Sequence, residues 1–170
     1  MPRKLMQRKV VCLLSLITLS PLAIADIRSA TGKPLLDFYT VYGAIDSVRI
    51  INELCNSKFP KYKKQNDRAY SLWRSRNKDF IYKVEQYNHA IVTKTAKGNE
   101  ASYRKQMLET AQVYEQNKVA MHKMFSDYGE TTYHATCSAY REYTESEKAD
   151  FPNYYKEHMQ VFENYWRNKQ

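Results

Sequence analysis

From Phe59 to Gly98 the chain reads FPKYKKQNDRAYSLWRSRNKDFIYKVEQYNHAIVTKTAKG. Between Pro60 and Gly98 no proline or glycine interrupts it, and Tyr70, Trp73, Asn77, Phe80, Val84, Tyr87 and Ile91 recur by alternating steps of three and four. That spacing puts all seven side chains on one stripe of an α-helix, in the manner of a heptad seam. It predicts a helix over about residues 61–94.

A second seam follows the first. Tyr103, Met107, Thr110, Tyr114, Asn117, Met121 and Met124 repeat the same alternation and predict a helix over about 99–128. Gly98 suits a left-handed cap and Asn99 suits the start of the next helix, so the chain is expected to fold back there as an antiparallel hairpin. Such a hairpin sets Ile91 opposite Tyr103, Phe80 opposite Tyr114 and Trp73 opposite Met121. It also sets Asn77 opposite Asn117, and a buried hydrogen bond between these two amides would fix the register.

Working outward, Pro34 suits a first helical turn, and Phe38, Val41, Ile45, Val48, Ile51 and Cys55 give helix one an apolar face. Phe59-Pro60 stops it. On the other side Gly129 breaks the chain, Tyr133, Cys137 and Tyr140 form another inward stripe, and Phe151-Pro152 separates a last helix ending near Trp166. Four glycines and five prolines in 170 residues are too few for a protein of many tight β-turns. The expected fold is all-α: a disulfide-stapled bundle built on the long hairpin, with helix one and two C-terminal helices packed on it.

Two stretches resemble one another. Phe59-Pro60 with Tyr62 precedes Trp73-Arg74 much as Phe151-Pro152 with Tyr154 precedes Trp166-Arg167. Reuse of a common helix-start pattern explains the echo without a duplication.

Residues 1–25 have the make-up of a secretory signal peptide. Arg3, Lys4, Arg8 and Lys9 form a positive start, Val10 to Leu19 an apolar run too short to span a bilayer, and Ala23-Ile24-Ala25 a cleavage site. Cys12 opens the apolar run instead of following it, which argues against a lipid anchor. The expected product begins at Asp26, with residues 26–33 as a mobile lead-in and 34–170 as a single helical domain, periplasmic or secreted.

Removing the leader changes the charge. The whole chain carries +9, but 27 basic residues less the four of the leader leave 23 against 18 acidic ones, a formal +5. Lys61, Lys63, Lys64 and Arg68 cluster, yet Asp67 and Asp79 interrupt the run, which reads as a solvated helix face and not as a nucleic-acid stripe. The leader also takes Cys12 with it. The two remaining cysteines, Cys55 and Cys137, both face inward and in an oxidising compartment pair with each other. A loop of that length loses enough unfolded-chain entropy for the bridge to contribute roughly 4.5 kcal/mol.

Chemistry-bearing motifs are sparse. His89, His122, His134 and His158 give no metal-ligand pair; the nearest face, Glu130, His134 and Cys137, loses its thiolate to the disulfide, and no metal or cofactor is expected. Glu130, Glu142, Glu145 and Glu147 are enough for a carboxylate pair of a hydrolase, but sequence does not bring two of them together. No glycine-rich phosphate loop, nucleophile elbow or zinc-protease helix occurs.

Fifteen tyrosines remain to be explained. Tyrosine combines a large apolar body with a polar tip and suits contact surfaces. Those off the seams, Tyr62, Tyr82, Tyr143, Tyr154, Tyr155 and Tyr165, with Lys63, Lys64, Arg141 and Lys156, form a candidate contact set. The expected function is non-catalytic binding of a protein or anionic envelope component outside the cytoplasm, as an inhibitor, an immunity-type protein or an envelope accessory factor. Carriage of an apolar or anionic small molecule beside Met107, Met121, Met124 and His122 is the alternative, and a carboxylate hydrolase the second.

Overall fold

The computed structural model describes residues 29–169; the leader and the first residues of the lead-in lie outside them. Every regular element among the described residues is helical. In order these are α1 (Pro34–Lys58), α2 (Lys63–Arg76), α3 (Lys78–Ala96), α4 (Glu100–Asp127), α5 (Glu130–Glu145), the short α6 (Phe151–Tyr154) and α7 (Lys156–Arg167). Single 3-10 turns at Pro60–Tyr62 and Glu147–Ala149 join α1 to α2 and α5 to α6.

Helix α1 is the axis of the molecule. Pro34 starts it, with φ already suited to a helix, and Asp37 in its first turn accepts a hydrogen bond from Thr31 N at 2.8 Å. Phe38, Val41, Val48, Ile51 and Cys55 are buried, as their spacing suggests, and Ala44, Ile50 and Leu54 are buried as well. A helix buried over so much of its circumference needs neighbours on several sides. It has them: α7 packs along it, α5 and α2 along another side, and α3 and α4 along the rest. Burying each Val, Ile or Phe side chain this fully stabilises the fold by roughly 1.5–3 kcal/mol.

The long helix expected over 61–94 is two helices, interrupted at Asn77. The physical reason lies far away in sequence. The chain around Ala149 crosses this point, and Ala149 O accepts from Trp73 Nε1 at 3.0 Å and from Asn77 Nδ2 at 3.2 Å. Asn77 Oδ1 accepts from Phe151 N at 3.1 Å and so caps the start of α6. Asn77 is therefore buried against the α5–α6 connection, while Asn117 is exposed on α4. The expected Asn77–Asn117 register pair is corrected accordingly.

The hairpin expectation changes with it. Across the turn at Gly98, His89 meets the ring of Tyr103 at 5.5 Å and Thr95 Oγ1 donates to Gln106 Oε1 at 2.5 Å. Beyond this α4 turns to other partners: Tyr114 reaches α1 and Phe125 meets Tyr133 of α5 at 4.9 Å. Trp73, expected opposite Met121, instead packs edge-on against Phe151 at 5.2 Å.

Cys55 and Cys137 are joined, with Cα atoms 5.3 Å apart. Their bridge runs beside two further ties from α5 to α1, Tyr133 Oη to Leu54 O at 3.3 Å and Tyr140 Oη to Val48 O at 3.0 Å. These fix α5 antiparallel to α1.

Candidate functional site

The surface where α2 and α5 lie side by side gathers most of the candidate contact residues that are exposed. Pro60 starts the turn that aims Tyr62 across to α5, where Tyr62 Oη and His134 Nε2 are 2.8 Å apart. Phe59 stands edge-on to the same imidazole at 5.3 Å, and Lys61 Nζ lies 4.9 Å from the centre of the Tyr62 ring. Asn66 Nδ2 reaches Cys137 O at 3.4 Å beneath them.

Lys63 and Lys64 follow in the first turn of α2. Lys63 pairs with Asp67 at 2.6 Å, and Asp67 also accepts from Asn56 at 2.6 Å and Asn52 at 3.1 Å. The hydrogen bonds from Lys63, Asn52 and Asn56 hold the Asp67 carboxyl below its ordinary range. Lys64 is exposed. Next to it Gln65 lines an open cleft of about 380 Å³ with Ser138, Arg141, Glu142, Glu145 and Ser146. Arg141 is paired along α5 with Glu145, one turn on, at 2.8 Å.

Other members of the set lie elsewhere. Tyr143 and Tyr155 are buried, at 8% and 5% exposure, and are corrected from contact residues to core residues. Burial pushes the Tyr143 phenol up to about 12, the ring of Tyr154 contributing, and raises Tyr155 as well. Tyr155, at the end of α6, stands edge-on to Phe151 at 5.0 Å and to His158 at 5.6 Å. Tyr154 is half-buried against Tyr155, and Lys156 is exposed at the start of α7. Tyr82 is 62% exposed on α3, and Tyr165 on α7 has Lys169 Nζ 5.8 Å from its ring. The ten residues do not form one face; Tyr62, Lys63, Lys64 and Arg141 do belong to the α2–α5 side.

No protein-family model, curated protein or solved structure matches this chain. The reading of the site therefore rests on its own geometry.

Glu130, Glu142, Glu145 and Glu147 are all exposed, and only Glu142 and Glu145 share the cleft. Among the described residues no three His, Cys, Asp or Glu side chains are grouped to hold a metal ion. Met121 and Met124 are half-buried against the core and Met107 is 37% exposed. His122 meets Tyr133 at 6.3 Å.

Sequence reasoning missed a polar clamp between α1 and α4. Glu53 accepts from Arg49 Nε at 2.9 Å, Tyr114 Oη at 3.0 Å and Lys118 Nζ at 2.6 Å, and Arg49 lies over the Tyr114 ring at 4.7 Å. Burial pushes the Glu53 carboxyl up, but the three hydrogen bonds outweigh it and leave the group below its ordinary range. Two turns earlier on α1, burial drives Asp46 up to about 6, Arg49 opposing and Glu85 reinforcing the shift. The available signal was an acidic residue flanked by the apolar positions of the most apolar helix.

Proposed function

We propose that this protein is exported and acts by binding another macromolecule in the periplasm or outside the cell, using the α2–α5 face. The observation that carries the reading is the Tyr62–His134 contact at 2.8 Å, with Lys61 over the Tyr62 ring and Lys63, Lys64 and Arg141 exposed on α2 and α5. Aromatic and basic side chains are the common anchors of protein interfaces, and here the disulfide and the Tyr62 bond pre-order the half-buried ring before any partner arrives. Less side-chain freedom is then lost on binding.

The partner that fits is a protein presenting carboxylates to the lysines and an apolar patch to the open side of the half-buried Tyr62 ring. Inhibition of a toxin or hydrolase and service to an envelope complex both use such a face. Cleavage after Ala25 belongs to the same proposal, and mass spectrometry of the exported product should give an N-terminus at Asp26.

The test is affinity capture from an envelope extract with the chain from Asp26 onward, beside a variant carrying Lys61→Glu, Tyr62→Ala and Lys64→Glu. A partner retained by the unmodified chain and by Tyr82→Ala, but lost by the triple variant, supports the face. Equal capture by all three proteins removes it.

A further inference from the structure

We infer that one end of the bundle is a docking surface for an anionic lipid bilayer. Three segments meet there: the start of α1, the α3–α4 turn and the end of α7. Phe38 of α1 packs against Phe162 of α7 with ring centres 4.6 Å apart, and Phe162 stacks on Trp166 at 5.7 Å. Lys94 of α3 lies 5.2 Å over Trp166 and donates to Lys169 O at 2.5 Å. These contacts place Lys94 and Lys169 at the same end as the first turns of α1.

That end combines exposed cations with exposed apolar side chains. Leu35 is 43% exposed, Leu36 51% and Tyr39 47%, all within the first two turns of α1. Lys33, Lys94, Lys97, Arg167 and Lys169 are exposed around them. Acidic groups do little to offset this charge. Asp37 is fully buried, Glu100 is paired with Arg104 at 2.8 Å and Glu163 with Lys83 at 2.6 Å. Lys94 and Lys169 meet aromatic rings instead of carboxylates.

Long basic side chains around a small apolar tip match a bilayer interface: the leucines enter the headgroup boundary while the cations reach lipid phosphates. Three apolar side chains are few for the core of a stable protein interface, which takes roughly 800 Å² from each partner. A bilayer asks for no such area, because charge supplies most of the attraction. The inference does not depend on the α2–α5 face, which other residues form.

The test is vesicle flotation with the chain from Asp26 onward, which contains every described element and all of their mutual packing. Phosphatidylglycerol–phosphatidylcholine vesicles should retain the protein, phosphatidylcholine vesicles should not, and added salt should release it. At about 1 kcal/mol for each charge near the surface, Lys94→Gln with Lys97→Gln should weaken partitioning roughly 25-fold. Leu35→Gln with Leu36→Gln should weaken it about tenfold with the salt dependence unchanged. Lys61→Gln with Lys64→Gln, in the turn before α2 and in its first turn, should match the unmodified chain. All six positions are exposed, and circular dichroism verifies that each variant is folded. Equal binding to neutral vesicles, undiminished binding of the two end variants, or an equal loss in the α2 variant would overturn the inference.

Discussion

Helix α1 has 25 residues and buries ten of them, whereas α4 has 28 and buries one, Phe125. Both show apolar residues at helical spacing, and α4 shows the more regular pattern. The difference teaches that periodicity reports which way a helix faces, not how deep it lies. Depth depends on how many neighbours surround it, and α1 is apolar around more of its circumference: Ala44, Ile50 and Leu54 are buried beside the stripe that begins at Phe38. Helix α4 lies on the outside, joined to α3 at the turn, to α5 through Phe125 and to α1 through the Glu53 clamp.

Four substitutions test this contrast. The largest effect belongs to Phe38→Ala, which should lower unfolding free energy by about 3–5 kcal/mol in urea titration, since the ring is fully buried against Phe162. A loss under about 1 kcal/mol would show that α1 is not the axis. Glu53→Gln should cost about 1 kcal/mol, less in high salt, because it weakens a partly exposed charged clamp. Its folded pKa is depressed, so that contribution is present above the ordinary glutamate pKa and is lost as pH falls through the folded value.

Asp46→Asn should act with the opposite sign. A carboxyl raised to about 6 is tolerated when protonated, so stability is highest below the unfolded aspartate pKa and declines as pH rises through the folded one. The variant should melt higher than the parent at about pH 7.5 and with it at about pH 3.5. A difference that persists in acid would mean that packing, not charge, is responsible. Smallest of all is Leu108→Gln on the outer face of α4, 65% exposed, for which the urea midpoint should shift by less than about 0.5 kcal/mol equivalent.

Much of the architecture was legible because its causes are local. Few glycines and prolines with three-and-four spacing gave helices; Phe59-Pro60 marked the end of α1, and Asn99 caps α4 by accepting from Ser102 N at 2.8 Å. The cysteine pair was legible by elimination once the leader was set aside, and the pair is joined in the structure. Asn77 was not, because its partners arrive from Ala149 and Phe151, and no periodic pattern encodes so distant a crossing. Tyr143 and Tyr155 lie off the seams yet are buried, and the seam spacing does not encode their burial. Of the candidate site, Tyr62 and its basic neighbours were found by composition, while His134 as the partner of Tyr62 needed the fold.

The central position of α1 also sets an order of events during synthesis. Of the described helices it is the first to leave the ribosome, yet α7, which packs against it most extensively, is the last. Until Phe162 is made, Phe38 has no ring to close on, and until Cys137 is made, Cys55 has no partner. A nascent chain of this protein therefore carries the Phe38 side of α1 uncovered until α7 is complete, and final closure has to await that last helix.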